Sequence, residues 1–399
     1  MRFLFIKTEL GWPRTSGHDV HAFHMMQALG NAGHDVALLT AVDPTVEATT
    51  GLTLIDKRLF PTDGPTREDE PVTPTSDIGW RGRWSWRQER FRSYWGIDAS
   101  GVRFARDHAE ALEVDAVVAV GLEVLPYLTE IRHSQRIWYA ADEWVWHHLS
   151  LFRPLHPQTW SHVRQSCILG LYEHSFSNIV DRAWVVSPTD QRAMRLVMRS
   201  TAVDLIPNGV DTAAFSPTDD PVEARSCTFW GNLGFAPNEQ ALVWFCREVW
   251  PLVRRANPDA QFNIFGFGPS PVILQLAVPE SVVITSNVPE IRVAVGGQAV
   301  VVLPFLSGGG IKNKLLEAAS LAKPIVCTPR ACNGLNATNE LPFRIVPTRA
   351  RSWADAIAEL WANPDTSREL GTDAREWVTT RYSWQTAAEL AVASVTKPK

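Results

Sequence analysis

Short runs of β-branched and aromatic residues alternate along this chain with longer stretches whose apolar residues recur at helical spacing. Arg2-Phe3-Leu4-Phe5-Ile6 reads as a buried strand. A loop over residues 8–17 carries glycine and proline, and residues 18–32 then repeat apolar side chains at helical spacing (Val20, Phe23, Met26, Leu29). After Gly33-His34-Asp35, the run Val36-Ala37-Leu38-Leu39-Thr40 starts a second strand. Strand, loop, helix and strand in this order make a βαβ unit, which predicts a parallel sheet whose right-handed crossovers bring the loop to the ligand-binding edge. The same rhythm resumes at residues 114–121, 135–140 and 181–187.

A second series follows. Residues 227–232 read as a strand, and residues 238 to about 256 as a helix. Strands are expected at 261–266, 282–285 and 300–305, a helix from 313 to 320, and a strand at 324–328 with Pro324 tolerated at its first position. Between the two series, Ile206-Pro207-Asn208-Gly209-Val210-Asp211 is a turn-rich linker containing Asn-Gly, and the domain boundary is placed there. From residue 60 to 94 the pattern breaks. Residues 61–74 are rich in proline and acid and predict an exposed loop, whereas residues 79–95 interleave arginine with tryptophan. Three readings of that segment stand side by side: a helix with tryptophans on the core and arginines in solvent, an acceptor wall of stacking indoles and phosphate-holding arginines, or a membrane-surface patch.

Composition narrows the class. A chain of 399 residues exceeds what one core usually supports, so two domains are expected. Its 45% hydrophobic and 20% charged content is that of a globular protein, and a net charge of −5 gives no reason to expect nucleic acid. Five unclustered cysteines among apolar neighbours suit free thiols in a reducing compartment. The N-terminus has no signal-peptide pattern, and the long uncharged stretch at 293–311 contains five glycines and a proline, which suits a strand and loop better than a membrane helix. A cytoplasmic enzyme is expected, with peripheral contact at the inner face of the membrane left open.

Candidate chemistry centres on Val300-Val301-Val302-Leu303, followed by Gly308-Gly309-Gly310 and the helical Asn313-Lys314-Leu315-Leu316-Glu317-Ala318-Ala319-Ser320. A strand, a glycine turn and a helix start form a phosphate-site layout, because glycines admit a ligand to the backbone and the helix start favours an anion. Lys312 and Lys314 add charge there, in a chain with 7 lysines against 31 arginines. A Walker loop is excluded, because Asn313 and Leu315 follow the two lysines. A dinucleotide fingerprint is excluded as well, because Gly266-Phe267-Gly268 leads into Pro269 and Pro271. In the first half, residues 135–140 run into Asp142 and Glu143 at the carboxyl end of a parallel strand, followed by Trp144, Trp146, His147 and His148. His18, His21 and His24 have no partnering cysteine or spaced carboxylate, so no metal is expected. All eleven histidines lie between His18 and His174, which confines imidazole chemistry to the first half.

The run from Gly308 through Lys312, Lys314 and Glu317 to Lys323-Pro324-Ile325-Val326-Cys327-Thr328 resembles the donor-site signature of retaining GT-B glycosyltransferases of family 4. Pro13, Ser16-Gly17 and Gly33-His34-Asp35-Val36 resemble that family's opening, and Ile206-Pro207-Asn208-Gly209-Val210-Asp211 its hinge. Phe229-Trp230-Gly231-Asn232 with Pro237-Asn238-Glu239-Gln240 resembles the first strand and loop of its donor domain, and Tyr382-Ser383-Trp384 the crossing of its last helix. The resemblance implies the GT-B fold: an α/β chain of two Rossmann-like domains with parallel sheets facing a central cleft. Residues 1–205, with a returning helix at about 380–399, would bind the acceptor, and residues 206–379 the nucleotide-sugar donor.

Two departures matter. The family carries two glutamates eight positions apart. Glu317 is the second, and Gly309 stands where the first would be. Many members also have a basic residue after the first donor-domain strand, where this chain offers Asn232 and Asn238. The resemblance therefore implies Lys312, Lys314 and Asp142 as candidate catalytic residues. It implies donor contacts at Gly17, Gly231, Asn232, Asn238, Gly308, Gly309, Gly310, Leu315, Leu316 and Glu317, with Glu317 on the ribose hydroxyls, whose vicinal pair suits a carboxylate. The expected activity is metal-independent retaining transfer of a sugar from a nucleoside diphosphate sugar, used as co-substrate with no other cofactor, to a carbohydrate or lipid-linked acceptor. A catalytically silent nucleotide-sugar-binding module and a nucleotide-sugar epimerase on the same fold are the alternatives.

Overall fold

The computed structural model describes residues 1–12, 14, 17–61, 88–93, 95–140, 145, 159–218, 221–307, 310–335 and 340–397. The chain divides into two compact units, one of Met1–Pro207 with Ala387–Lys399 and the other of Asn208–Thr386.

The first unit is built on a seven-stranded sheet of order β3-β2-β1-β4-β5-β6-β7, in which every pairing is parallel. The strands are β1 (Arg2–Lys7), β2 (Asp35–Thr40), β3 (Asp56–Leu59), β4 (Ala116–Val120), β5 (Gln135–Ala140), β6 (Arg182–Val185) and β7 (Ala202–Leu205). The central strands are apolar on both faces because helices cover both, and Phe3, Val117 and Ile137 are fully buried. β3 has the sequence Asp-Lys-Arg-Leu and lies exposed at the sheet edge, where charge discourages further pairing. The final helix, Trp384–Thr396, and Lys397 just after it supply bonds to this sheet. Trp184 Nε1 donates to Ser394 Oγ at 2.8 Å, Gln135 Nε2 to the Val395 carbonyl at 2.6 Å, and an Arg182 guanidinium N–H to the Lys397 carbonyl at 2.6 Å.

The arginine–tryptophan segment is described only at 88–93 and 95, so the rest of 79–95 lies outside the described residues. At that end Phe91 packs edge-on against Tyr172, with centroids 4.6 Å apart. Arg92 is buried rather than solvent-facing: it donates to the Ile97 carbonyl at 2.6 Å and pairs with Glu89.

The second unit holds a six-stranded sheet of order β10-β9-β8-β11-β12-β13, again with parallel pairings. Its strands are β8 (Glu223–Asn232), β9 (Gln261–Phe267), β10 (Val282–Ser286), β11 (Gln298–Leu303), β12 (Ile325–Cys327) and β13 (Arg344–Ile345). Pro324 stands just before β12, where its carbonyl accepts from Val301 N at 3.0 Å. The helix expected over 238–256 begins earlier and is not uniform. Ala236–Trp244 and Trp250–Ala256 are α-helical and flank a π-helical turn, Phe245–Val249. Pro251 accounts for the widening, since it offers no N–H and its ring crowds the carbonyl of Arg247.

Both sheets reverse direction of growth once, between β1 and β4 in the first unit and between β8 and β11 in the second. In open parallel sheets the carboxyl ends flanking such a reversal form the ligand crevice. The chain enters and leaves the second unit at one place: Val210 forms a parallel bridge with Ser383, and its N–H donates to the Tyr382 carbonyl at 2.7 Å. Among the described residues no helix is long and apolar enough to cross a membrane.

Candidate active site

The reversal of the second sheet brings together the end of β8, the turn after β11 and the helix Asn313–Ser320. Lys314, in that helix's first turn, reaches across to β8. It can do so only because residue 231 is glycine. A Cβ there would stand 2.5 Å from Lys314 Cε and 2.6 Å from Nζ, and the backbone has φ +131°, which other residues rarely adopt. The Lys314 ammonium lies 5.6 Å from the Phe229 ring centroid and that of Lys312 lies 5.5 Å from Phe305, within cation–π range, while the two rings lie 5.8 Å apart. Two positive groups thus stand over one aromatic pair.

One turn further on, Glu317 accepts a hydrogen bond at Oε2 from Trp230 Nε1 at 2.8 Å. Burial pushes the Glu317 carboxyl above its ordinary value, opposed by the Trp230 bond and the Lys314 charge. Burial likewise lowers Lys314, opposed by Glu317. Burial disfavours the charge on both groups while each favours the charge of the other, and shifts of this origin in a crevice mark a candidate functional site.

The surrounding loops are braced within the unit. Asn238 is buried and donates from Nδ2 to the Asn232 carbonyl at 2.7 Å, and Asn232 Oδ1 accepts from Gly234 N at 3.0 Å, so both candidate asparagines shape the loop after β8. Ser307 Oγ donates to Gln240 Oε1 at 2.7 Å. Gly334, at φ +94°, packs on Gly310, where an added Cβ would lie 2.8 Å from the Gly310 carbonyl carbon. Gly308 and Gly309 lie outside the described residues. The amides of Leu315 and Leu316 both donate to the Lys312 carbonyl, at 2.8 and 3.4 Å. They close the helix's own first turn.

Some contributors were not visible in the sequence. Trp230 is one, since a strand tryptophan reads as core. Asn208, in the linker motif, is another: it is buried and its Nδ2 donates to Asn313 Oδ1 at 3.0 Å, tying the linker to the start of the lysine-bearing helix.

In the first unit, Gly17 opens the helix Gly17–Asn31 with open space around it. Asp19 in that helix's first turn pairs with Lys7 at the end of β1 (2.8 Å) and accepts from Gly11 N (3.3 Å), and the Arg14 guanidinium lies 3.3 Å from the Phe23 ring centroid. Pro13, Ser16, Asp142, Glu143, Trp144, Trp146, His147 and His148 lie outside the described residues. His21 is buried and stacks on Tyr139 with centroids 5.9 Å apart. Burial and the neighbouring His18 and His24 hold its imidazole at about 3, so it is a neutral core group. Glu123, just past β4, accepts from Thr8 Oγ1 at 3.3 Å and so lies beside that sheet's reversal. Among the described residues no group of three or more His, Cys, Asp or Glu side chains is placed to hold a metal.

Comparison with known proteins bears on both units. Residues 224–363 match the family model described as Glycosyl transferases group 1, a stretch that spans β8 to the helix Ala350–Ala362 and contains every second-unit residue of the site just described except Asn208. A Klebsiella pneumoniae protein named as an uncharacterized 44.6 kDa protein in the cps region is 25% identical over 173 residues, which are 41% of this chain and 44% of that protein. The match thus spans less than half the length of that relative. Among solved structures, Anabaena HepE in complex with UDP and glucose superposes with a TM-score of 0.65 at 11% identity over 100% of both chains. A mutant of S. aureus TarM in complex with Fondaparinux, alpha-GlcNAc-glycerol and UDP gives 0.66 at 10% identity, covering 99% of this chain and 100% of that one. Sucrose-phosphate synthase from Thermosynechococcus elongatus gives 0.64 at 16% identity, covering 99% and 98%. At such identities the likeness shows the fold, two parallel α/β sheets in the GT-B arrangement of elements.

Proposed function

We propose that this chain, a GT-B protein carrying a group 1 glycosyltransferase domain, moves a sugar from a nucleoside diphosphate sugar to a carbohydrate or lipid-linked acceptor, with retention at the anomeric carbon and without a metal. The observation that carries the reading is the convergence of Lys314, Gly231 and Glu317 at the reversal of the second sheet, with Lys312 beside them.

As the bond from the anomeric carbon to the phosphate oxygen breaks, negative charge grows on the diphosphate. Fixed cations stabilise that charge best where water is scarce. Lys312 and Lys314 supply it, pre-positioned over Phe305 and Phe229. Glu317 accepts from the ribose hydroxyls. The acceptor oxygen attacks from the face the leaving group departs, and the leaving phosphate takes its proton, so no separate base is needed. Asp142 or a histidine of the first unit orients the acceptor. The UDP in the HepE and TarM complexes and the carbohydrate in the latter support a UDP-sugar donor and a carbohydrate acceptor, with polysaccharide biosynthesis as the setting. Five free cysteines support a cytoplasmic location, with contact at the inner face of the membrane as its extension.

Incubation with a panel of nucleotide sugars in the absence of acceptor tests the reading. Slow release of the nucleoside diphosphate is expected, and NMR of the product formed with an added acceptor should show the donor's anomeric configuration. Binding without release, or interconversion of two nucleotide sugars, would overturn it.

A further inference from the structure

Glu317 is held from outside its own helix. Trp230 lies on β8 immediately before Gly231 and is 4% exposed. A buried indole N–H usually finds a partner. Here that partner is a carboxylate rather than a backbone carbonyl: Nε1 donates to Glu317 Oε2 at 2.8 Å. The ring belongs to the core of the second unit, and its strand neighbour in the β8–β9 register is Phe265, so packing fixes where the N–H points. The bond therefore sets the carboxylate's position. Glutamate reaches its end through three rotatable bonds, and a donor mounted on a packed ring removes that freedom before any ligand arrives.

We propose that Trp230 is the positioning residue of the donor site: it pins one oxygen of Glu317 so that the carboxylate offers its remaining lone pairs to a vicinal diol, and thereby sets the preference for a ribonucleotide. This rests on the reading of Glu317 as the ribose contact. An ionised carboxylate has about four acceptor sites. The indole occupies one, leaving enough for both hydroxyls of a diol.

The bond also acts on ionisation, against the larger effect of burial. The groups that act on the carboxyl are Trp230 from β8 and Lys314 from its own helix, and both oppose the upward push of burial. The helix Pro364–Arg381, packed against the same helix, sends Arg375 to the Ser320 and Phe215 carbonyls instead. Removing the indole N–H should therefore raise the pH below which the carboxyl is protonated and no longer grips the diol.

The test uses the full chain and whichever of UDP, GDP and ADP binds it most tightly, together with the 2′,3′-dideoxy form of that nucleotide, measured by calorimetry from pH 5 to 8. Wild type should prefer the ribonucleotide at least tenfold, and Glu317→Gln should lose most of that preference. Trp230→Phe should reduce it at least threefold, leave affinity for the dideoxy form unchanged, and begin its acid loss at a higher pH. If Glu317→Gln loses the preference while Trp230→Phe keeps both the ratio and the acid limb, the positioning role fails and the ribose reading stands. If wild type does not distinguish the two nucleotides, or Glu317→Gln keeps the preference, the ribose reading fails and takes this proposal with it. Should Trp230→Phe not fold, indole 15N NMR of the wild type and Glu317→Gln decides. The Trp230 N–H resonance should titrate with an acid in the wild type only and shift on adding the ribonucleotide, and a resonance indifferent to both would overturn the proposal.

Discussion

Lys314 Nζ occupies the space that a side chain at Gly231 would need, 2.6 Å from where its Cβ would stand. The glycine is thus a seat for the lysine as well as a turn. Gly231→Ala should displace the ammonium and lower kcat/KM at least tenfold, about 1.4 kcal/mol of transition-state stabilisation, and the φ of +131° adds a stability loss of roughly 1–3 kcal/mol. Combined with Lys314→Ala, the glycine change should add little to the kinetic loss, because both remove the same ammonium. Full additivity in that double mutant, measured by initial rates, would separate the two residues.

Lys312→Ala and Lys314→Ala should each lower kcat at least tenfold, since a charge-assisted contact is strongest once the leaving group is fully charged. Binding of the intact donor should suffer less than turnover. Single-turnover kinetics distinguish these, and wild-type rates in both variants would remove the lysines from the chemistry.

The alkaline side of the pH profile reports Lys314. Burial lowers its value below the 10.5 of a free lysine, with Glu317 only opposing. The diphosphate needs the ammonium form, so affinity should decline as pH rises through that lowered value, sooner than a solvent-exposed lysine would allow. In Lys314→Ala the early decline should vanish. Calorimetric titration of a nucleoside diphosphate from pH 7 to 10 checks this, and a wild-type affinity that stays flat to pH 10 contradicts it.

EDTA should leave turnover intact, because the proposed clamp consists of two ammonium groups. Complete loss of activity with the chelator, restored by magnesium or manganese, would transfer the charge-neutralising role to an ion.

The strands and helices that locate the site could be read in the sequence because their signals are local. Val300 to Leu303 is a β-branched run, and residues 313–320 carry apolar groups at helical spacing. What could not be read are relationships across the chain. Trp230 and Glu317 are 87 positions apart, and nothing in either neighbourhood distinguishes a tryptophan that packs from one that also aims its N–H at a carboxylate. The role of Gly231 depends on a lysine from another element. Glycines before a helix signal an anion site but not the turn that forms, in which the Leu315 and Leu316 amides both donate to the Lys312 carbonyl. β3 was hidden because an edge strand of charged residues has no apolar run, and the π turn because Pro251 makes one continuous apolar pattern into three segments.

The second unit is an insertion in the first, which takes residues from before and after it, and the bridge between Val210 and Ser383 closes the insertion at its base. On the ribosome this imposes an order. The sheet of the first unit emerges with Gln135, Arg182 and Trp184 lacking the partners that arrive only with Ser394, Val395 and Lys397. At synthesis rates of about 5–20 residues per second, the wait is on the order of ten to forty seconds. The inserted unit has its whole sequence available first. It can therefore finish folding while its host is still waiting, and a nascent chain stalled before its last helix should hold a protease-resistant second unit beside a first unit that is still digestible.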